Sequence, residues 1–298
     1  GAWMETYQKS GGLHQGICGR ITKVNLMKET LHLGLVQADL LWEDPQGNRA
    51  ALADLVLGGA EGRAALQRAP VDLWVLPEMF TSGFTMHPEH LDPAEGGLTL
   101  SWMQELATRV RGAVMGSLAL WDQELGVYVN RCVVVGADGT LLSTYDKKYT
   151  FTMAGESAVY ASGSDDALFE LGGWKILPRI CYDLRFPEWA RNTQERRYDV
   201  LIYVANWPKG RIRHWDAMLR ARAIENQAYV VGVNRVGTDA NHLVYPGHSA
   251  CLDPMGDLLV QDTSGGVDVL YAELSKDTLN QVRTTFPFLA DQSSFLLE

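Results

Sequence analysis

The sequence predicts a mixed α/β sandwich, with helices outside and β-strands inside. Strand-like and helix-like hydrophobic patterns alternate from Leu31 onward, which is typical of an α/β domain. Some neighbouring strand patterns are joined by short turn sequences instead of helices, and this indicates antiparallel hairpins. The sheets should therefore be mixed and not purely parallel.

The elements of the first half follow this alternation. Strands are predicted in "LHLGLVQ", in "VDLWVLPE", which should end at Pro77, and in "GAVMGSLAL". The Ala and Leu spacing predicts helices in "NRAALADLVLGGAEGRAALQRA" and "LSWMQELATRV". The run "GVYVNRCVVVGADGTLLSTYDK" contains two strand patterns around Ala-Asp-Gly and predicts a hairpin.

The second half begins with another hairpin, "ALFELGGWKILPRIC", which turns at Gly172 and Gly173. A helix is predicted from Pro187 to Arg197, followed by the strand "YDVLIYVAN", the helix "IRHWDAMLRARAIENQ" and the strand "AYVVGVN". A last hairpin surrounds "DPMGD", and a final helix starts near Ser275. We interpret residues 29–298 as a single domain and residues 1–28, which contain His14 and Cys18, as an N-terminal extension without chemical function.

Composition excludes several classes of function. The chain has 298 residues, is 46% hydrophobic and carries a formal charge of −10, so binding to nucleic acid through charge is disfavoured. No apolar run approaches the roughly 20 residues of a membrane span. The cysteines are too few and too scattered for a disulfide framework, and we expect a reducing cytoplasm.

Three reactive side chains follow apolar strand patterns. Glu78 ends "VDLWVLPE", Lys147 follows "LLSTYD", and Cys181 ends "WKILPRI". Strand ends are where ligands and catalytic groups collect in layered α/β folds. A carboxylate can take the proton of a thiol, the thiolate can attack a carbonyl, and an ammonium can stabilise the oxyanion.

The segment "ICYDLRFPEW" adds a local reason for reactivity at Cys181. If a helix starts near Phe186 and Pro187, its N-terminal dipole should favour the thiolate. The backbone N–H of Tyr182 would then be a candidate oxyanion donor. Each residue also has an ordinary structural explanation, namely a buried core thiol, a loop carboxylate and a solvated lysine; it is the ordered set that favours catalysis.

Four sequence blocks, taken in order, resemble the nitrilase superfamily of carbon–nitrogen hydrolases. They are "LPEMFTSGF", "YDKKYTF", "ICYDLRFPEWAR" and the later "YVANWPKGRIRHWDAMLRARAIENQAYVVGVNRVG". The resemblance extends from Leu31 to about Ala290, and within the superfamily it is greatest to bacterial-type omega-amidases. It implies a four-layer α-β-β-α sandwich, usually a homodimer formed through helices. It implies no metal and no organic cofactor, and the seven histidines show no metal-ligand spacing.

The resemblance also implies roles. Glu78 is expected to be the general base, Cys181 the nucleophile and Lys147 the oxyanion stabiliser, while Glu156 corresponds to a second glutamate near the thiol. The lysine motif has Tyr149 where many relatives carry His. The expected reaction is hydrolysis of the terminal amide of a short dicarboxylate monoamide such as 2-oxoglutaramate, through a thioester.

Such a substrate needs a cation for its distal carboxylate. The candidates are Arg211 and His214, in "NWPKGRIRHW", and Arg185, for which we expect an internal structural role. Trp207 and Phe84 are candidates for an apolar wall.

Other functions share this scaffold. Hydrolysis of an N-carbamoyl group or an aliphatic amide would use the same acyl-enzyme chemistry, so the three catalytic candidates cannot separate them. A nitrile hydrolase is less expected, since the resemblance is to the amidases. A non-catalytic binding or scaffold protein is the alternative from another class. The presence of Glu78, Lys147 and Cys181 together argues against it.

Overall fold

The computed structural model describes residues 27–294, so His14 and Cys18 lie outside the described residues. Two large sheets form the centre of the molecule. The first contains seven strands, with the order β15-β1-β2-β3-β4-β5 and β6 paired to β4. Its strands are β1 (Thr30–Gln37), β2 (Leu73–Val75), β3 (Ala113–Asp122), β4 (Val127–Val135), β5 (Leu141–Asp146), β6 (Tyr160–Ala161) and β15 (Asp268–Ser275).

The second sheet contains six strands in the order β14-β13-β10-β9-β8-β7. These are β7 (Phe169–Leu171), β8 (Trp174–Ile180), β9 (Val200–Ala205), β10 (Tyr229–Asn234), β13 (Ala250–Leu252) and β14 (Leu258–Gln261). A separate two-stranded ribbon consists of β11 (Val236–Thr238) and β12 (Val244–Pro246). Both large sheets are mixed, because parallel pairs such as β1–β2 and β8–β9 alternate with antiparallel hairpins.

Helices cover the outer face of each sheet. The α-helices are α1 (Pro45–Ala65), α2 (Glu95–Val110), α3 (Glu156–Val159), α4 (Pro187–Ala190), α5 (Ile212–Asn226) and α6 (Lys276–Thr285). Short 3₁₀ helices span Pro88–His90, Thr152–Ala154, Cys181–Arg185, Lys209–Arg211 and Phe288–Asp291. Among the described residues, no helix has the length and apolarity needed to cross a bilayer.

Strand alternation explains the layers, since successive side chains of a strand point to opposite faces. In β9, Ile202 points into the core between the two sheets, whereas Leu201 and Tyr203 pack under α5. In β3, Met115 points into the same central core, whereas Val114 packs against α1 and α2. The layers are therefore helix, sheet, sheet and helix, which confirms the predicted four-layer α-β-β-α sandwich.

Most predicted elements occur where the sequence places them. Both long hairpins form, β4–β5 and β7–β8, and the final helix α6 begins after an N-cap at Ser275, whose side chain accepts a hydrogen bond from the backbone N–H of Thr278. The strand expected to end at Pro77 is shorter and ends at Val75.

The helix predicted from Pro187 to Arg197 is wrong, because α4 ends at Ala190. Backbone groups that would form hydrogen bonds within a longer helix bind side chains of other segments instead. The guanidinium of Arg179 donates to the Trp189 carbonyl, the hydroxyl of Tyr198 donates to the Ala190 carbonyl, and the Asn192 N–H donates to the side chain of Asn226.

Candidate active site

Four polar residues meet where strands of both sheets end. Glu78 follows β2 by three residues, Lys147 follows β5 directly, and Cys181 and Asn206 directly follow β8 and β9. The two sheets pack face to face, so their strand ends lie at one edge of the sandwich. The structure thus brings Glu78, Lys147 and Cys181 together, as the sequence predicts.

The centre of the site is a fully buried ion-pair cluster. The Lys147 Nζ lies 2.9 Å from Glu78 Oε1, 3.0 Å from Glu156 Oε1 and 2.8 Å from Glu156 Oε2. All three side chains have no solvent-exposed surface. Glu156 is therefore part of the cluster and not a surface loop acid.

Two asparagines fix the carboxylates of this cluster. The Asn130 amide donates to Glu78 Oε1 at 2.8 Å and to Glu156 Oε1 at 3.2 Å. The backbone N–H of Asn206 donates to Glu78 Oε2 at 2.9 Å, and its side-chain amide donates to the Glu78 carbonyl at 2.7 Å. Buried carboxylates are stable only when such donors replace water.

The charges in the cluster stabilise one another. Burial by itself would lower the pKa of Lys147, but the carboxylates of Glu156 and Glu78 outweigh it and raise that pKa above its usual value. Burial raises the pKa of Glu156 despite the nearby ammonium. Lys147 is therefore a fixed cation at neutral pH, as an oxyanion stabiliser needs to be.

Cys181 lies at a sharp elbow between β8 and a 3₁₀ helix. Its φ of 43° is in the left-handed region, which is rare for a residue with a side chain and is characteristic of functional sites. The residue is partly exposed, and its thiol donates to the Asn206 carbonyl at 3.9 Å. The elbow presents the sulfur to the cavity described below.

The predicted activation of this thiol by a helix dipole is wrong. Only a single 3₁₀ turn, Cys181–Arg185, and the four-residue α4 follow the strand, so this segment lacks the long helix that the prediction required. Burial raises the pKa of the thiol well above its usual value, and the negative charge of Glu78 adds to this effect more than Lys147 opposes it. The resting thiol is protonated at neutral pH.

Asp183 holds the elbow in place from below. Its buried carboxylate accepts hydrogen bonds from the Ile180 N–H at 2.9 Å, from the Tyr149 N–H at 2.9 Å and from the Tyr145 hydroxyl at 2.7 Å. The first of these anchors the end of β8, and the other two anchor the segment that carries Lys147. One carboxylate thus connects the nucleophile loop to the lysine loop.

The sulfur opens into a cavity of about 310 Å³. Its wall is mostly aromatic and aliphatic, with a few polar groups, as in many small-molecule sites. The lining residues are Trp42, Phe84, Met86, His87, Phe151, Ala154, Cys181, Tyr182, Arg185, Asn206, Trp207, Pro208, Arg211, Asp239, Asn241, Leu243 and Tyr245.

The cavity contains most of the predicted substrate-binding residues. Arg211, Trp207 and Phe84 line it as expected, and the side chain of Tyr182 contributes to the wall. The Arg211 guanidinium lies over the Phe151 ring at 5.5 Å. His214 does not line the cavity but lies behind Arg185, with 3.3 Å between its Nδ1 and the Arg185 Nη2.

Arg185 has a different position from the one expected. It was predicted to be an internal structural partner, but it lines the cavity and stacks over Trp207 at 4.9 Å. Among residues 27–294, no carboxylate forms an ion pair with Arg185 or Arg211. Two guanidinium groups in the cavity are thus available to an anionic ligand.

Sequence reasoning missed several residues of the site. Asn206 directly follows the strand pattern "YVA", so the strand-end argument used for Glu78 and Cys181 could have identified it. Asn130 interrupts the apolar run of β4, and a polar residue at a buried strand position is a detectable signal. Trp42, Met86 and Tyr245 line the cavity from distant segments, and no local pattern marks them.

A fully buried Glu-Lys-Glu cluster beside a thiol at a strand-end elbow contains the groups that acyl transfer through a thiol requires, namely a nucleophile, a base and a cation. The carbon-nitrogen hydrolase family model matches residues 32–284. The chain therefore belongs to the carbon–nitrogen hydrolase family and is an amidohydrolase.

Named relatives agree with this assignment. The chain is 44% identical to omega-amidase YafV of Yersinia enterocolitica over 272 residues, which cover 90% of this chain and 99% of that protein. It is 34% identical to the 2-oxoglutaramate amidase of Bacillus subtilis over 74% of this chain and 84% of that one. The structure is similar to that of XC1258 from Xanthomonas campestris, a CN-hydrolase superfamily protein with an arsenic adduct in its active site. The TM-score is 0.84 and the sequence identity is 37%, over 91% of this chain and 100% of that chain.

Proposed function

We propose that the protein is an omega-amidase that hydrolyses the terminal amide of short dicarboxylate monoamides such as 2-oxoglutaramate. The observation that carries the proposal is the buried Glu78–Lys147–Glu156 cluster beside Cys181, at a cavity with two guanidinium groups. Neither guanidinium forms an ion pair with a carboxylate in the described part of the chain. The names of the relatives support the substrate class.

In the first half-reaction, Glu78 accepts the proton of the Cys181 thiol as the sulfur adds to the amide carbonyl carbon. This transfer is needed because the resting thiol is protonated. The carbonyl π electrons move to oxygen, and the ammonium of Lys147 and the backbone N–H of Tyr182 stabilise that oxyanion. When the intermediate collapses, the C–N bond breaks, nitrogen takes the proton from Glu78, and ammonia leaves a thioester.

In the second half-reaction, Glu78 takes a proton from water as the water oxygen adds to the thioester carbon. Collapse breaks the C–S bond, returns the proton to sulfur and releases the acid. Both oxygens of Glu156 already accept hydrogen bonds, from Lys147 and from the Phe151 N–H at 2.5 Å. Both oxygens of Glu78 accept hydrogen bonds as well, but the charge of Glu78 acts on the Cys181 thiol more strongly than that of Glu156. We therefore assign proton transfer to Glu78 and the orientation of Lys147 to Glu156.

Arg211 and Arg185 are proposed to bind the distal carboxylate of the substrate. Both line the cavity that contains Cys181, and each guanidinium lies over an aromatic ring that keeps it in place. A planar guanidinium can make two parallel hydrogen bonds to a carboxylate. Trp207 and Phe84 form the apolar wall beside the carbon chain of the substrate.

The test is ammonia release from 2-oxoglutaramate, measured alongside succinamate, glutamine, an N-carbamoyl amino acid and a simple nitrile. Release confined to the dicarboxylate monoamides supports the proposal. A Cys181→Ala variant should release no ammonia while keeping wild-type stability, since it removes a single sulfur atom. Preferred hydrolysis of the carbamoyl compound or the nitrile would contradict the substrate assignment and leave the hydrolase chemistry in place.

We also propose a homodimer in the cytoplasm. Exposed apolar residues group near the C-terminal end of α5: Ile224, Met255, Phe286 and Phe288. The side chain of Ile224 lies next to Gly256, and the amide of Gln227 donates to the Phe286 carbonyl.

Cys132, Cys181 and Cys251 are free thiols, which suits a reducing compartment. Light scattering after size exclusion tests the dimer, and fractionation of native cells tests the location.

A further inference from the structure

A group of imidazole and carboxylate side chains lies at the rim of the cavity, apart from the catalytic cluster. His87, Glu89 and His90 each offer one ligand atom, and these atoms all lie within 4.8 Å of one another. All three are exposed, and His87 also lines the cavity that contains Cys181. The proposed reaction uses none of them.

The local backbone brings these side chains together. A 3₁₀ turn at Pro88–His90 connects the two histidines, whose rings stack at 5.1 Å with an angle of 12° between their planes. The Nδ1 of His90 lies 3.0 Å from Glu43 Oε2, and the Nδ1 of His87 lies 3.1 Å from Glu89 Oε1.

Glu43, from a distant segment of the chain, is connected to the same group of side chains by hydrogen bonds through Thr85. The hydroxyl of Thr85 donates to Glu43 Oε1 at 2.5 Å and accepts from the backbone N–H of His87 at 2.9 Å. When Glu43 accepts the Nδ1 proton of His90, the Nε2 atom of that ring carries the free lone pair. A carboxylate in this position behind a histidine orients the ring for metal binding in many proteins.

We propose that His87, Glu89 and His90 bind a divalent transition-metal ion at the rim of the cavity. Two imidazole nitrogens and a carboxylate oxygen match the preferences of Zn²⁺ and Co²⁺, whereas Mg²⁺ and Ca²⁺ prefer oxygen ligands alone. Three protein ligands leave coordination positions open to water. The ion is not required for the reaction, because the catalytic cluster is complete without it.

The bound ion should help to capture an anionic substrate, and this part of the inference rests on the proposed function. The chain carries a formal charge of −10, and the carboxylates of Glu43 and Glu89 are adjacent to the rim. A divalent cation between these groups offsets both negative charges and so removes the local repulsion of an anion at the point of substrate entry. The effect should appear in KM and not in kcat, since the ion does not contact the reacting atoms.

The binding test uses Co²⁺ and the Cys181→Ala variant, in which the thiol cannot bind the metal. Calorimetry and the visible absorption of Co²⁺ should show a single site with nitrogen and oxygen ligands. His90→Ala in the same background should weaken binding at least about tenfold. His242→Asn is the matched control, because His242 is exposed, does not line the cavity and has a φ of 61° that Asn tolerates.

No Co²⁺ binding to the Cys181→Ala protein, or equal binding after His90→Ala, would overturn the proposal. A second arm measures kinetics with 2-oxoglutaramate in protein that retains Cys181. Co²⁺ should lower KM at least about twofold at constant kcat, and His90→Ala should abolish this change. An unchanged or raised KM would overturn the role in substrate capture. Failure of the omega-amidase proposal is distinguishable, because it would appear as absent turnover in metal-free enzyme while Co²⁺ binding persisted.

Discussion

At the scale of single residues, the central feature is a thiol whose ionisation is unfavourable in the resting protein. Burial and the negative charge of Glu78 raise the pKa of Cys181, and the ammonium of Lys147 offsets only part of this effect. A protonated thiol next to a carboxylate is suited to proton transfer that accompanies attack on the substrate. It also protects the sulfur from oxidants and alkylating agents, which react with thiolates.

The raised pKa of Cys181 can be measured by alkylation. The rate of reaction with iodoacetamide should increase steadily from about pH 6 to about pH 10, because only the thiolate reacts. Glu78→Gln should move this profile to lower pH, since it removes a charge that raises the thiol pKa, although it abolishes turnover. Mass spectrometry of the labelled peptide gives the rate, and the fully buried Cys132 and Cys251 are internal controls that should stay unlabelled. An unchanged profile in Glu78→Gln would contradict the electrostatic explanation.

Lys147 and Lys148 are adjacent but should behave very differently. Lys147→Ala leaves the buried carboxylates of Glu78 and Glu156 without their cation, so we expect loss of turnover and a loss of about 3–5 kcal/mol in the free energy of unfolding. Lys148 lies over the Trp189 ring at 5.5 Å and forms no buried ion pair within residues 27–294, so Lys148→Ala should cost less than about 1 kcal/mol and retain turnover. Urea unfolding measures the loss of stability, and ammonia release measures turnover. Loss of turnover in Lys148→Ala with turnover retained in Lys147→Ala would show that Lys148, and not Lys147, is the catalytic lysine.

Arg211 should determine the preference for a dicarboxylate monoamide. Arg211→Met removes a charge-assisted contact to the distal carboxylate, so kcat/KM for 2-oxoglutaramate should fall about 10–100-fold, while that for a neutral amide such as butyramide should change little. The nearby Arg213 is exposed and does not line the cavity, so Arg213→Met is a matched control. Equal effects of Arg211→Met on charged and neutral amides would show that Arg211 does not contact the carboxylate.

At the scale of elements, the geometry of the site depends on the junction between β8 and the following 3₁₀ helix. Tyr145 receives a hydrogen bond from the Trp189 indole at 2.8 Å, so its own proton goes to Asp183. Burial raises the pKa of the Asp183 carboxyl, and the three hydrogen bonds that it accepts favour its ionised form and offset part of this effect. The junction is held by a buried carboxyl group and not by helix capping alone.

Asp183→Asn should disturb this junction, because an amide places a donor where the structure needs an acceptor. We expect a loss of about 1–3 kcal/mol in stability. We also expect a lower kcat, since Cys181 and Lys147 lose their alignment, and a higher KM, since Tyr182 and Arg185 of the same 3₁₀ helix line the cavity. Asp253→Asn is the control, because the side chain of Asp253 accepts hydrogen bonds from the Met255 and Asp257 N–H groups at a single oxygen, which an amide oxygen can replace. Wild-type kcat in a folded Asp183→Asn protein would contradict the positioning role.

At the scale of the whole molecule, Trp189 shows how the layers are joined. The resemblance implies a homodimer formed through helices, but Trp189 on the short helix α4 is buried against Tyr145 and Arg179 of its own chain. Its ring contributes to the core between the two sheets. The homodimer proposal therefore depends on other surfaces.

The buried ionisable groups predict loss of stability at alkaline pH. Burial raises the pKa of Cys132 from 9.0 to about 12, and burial also raises the pKa values of Cys181 and Cys251. Above about pH 9, the unfolded chain releases thiol protons that the folded chain retains, so the free energy of unfolding should fall as pH rises towards 12. Each thiol contributes at most about 1.4 kcal/mol per pH unit.

Urea unfolding at several values between about pH 8 and about pH 11 tests this prediction. Cys132→Ala should make the free energy of unfolding fall less steeply with pH, by the contribution of a single proton. This change in slope is independent of the effect of the substitution on stability at neutral pH. Stability that is independent of pH over this interval would show that the buried thiols ionise as easily as in the unfolded chain.

The sequence by itself determined the alternation of elements, the two long hairpins and the three reactive residues at strand ends. These features depend on side-chain period and turn composition, which are local properties of the chain. The order of the motifs around Glu78, Lys147 and Cys181 indicated the family, and the resemblance to that family implied the four-layer arrangement.

Only the tertiary structure decided the state and surroundings of those residues. Lys147 pairs with Glu78 across 69 positions of the chain, and Asn206 binds Glu78 across 128 positions, so no local pattern contains these contacts. The thiol pKa was predicted in the wrong direction because desolvation and the charge of Glu78 exceed the effect of a short helix. The length of α4 was overestimated for a related reason, since hydrogen bonds from distant residues replace those of a longer helix. Burial and long-range electrostatics arise only when the layers pack, and they determine how the site works.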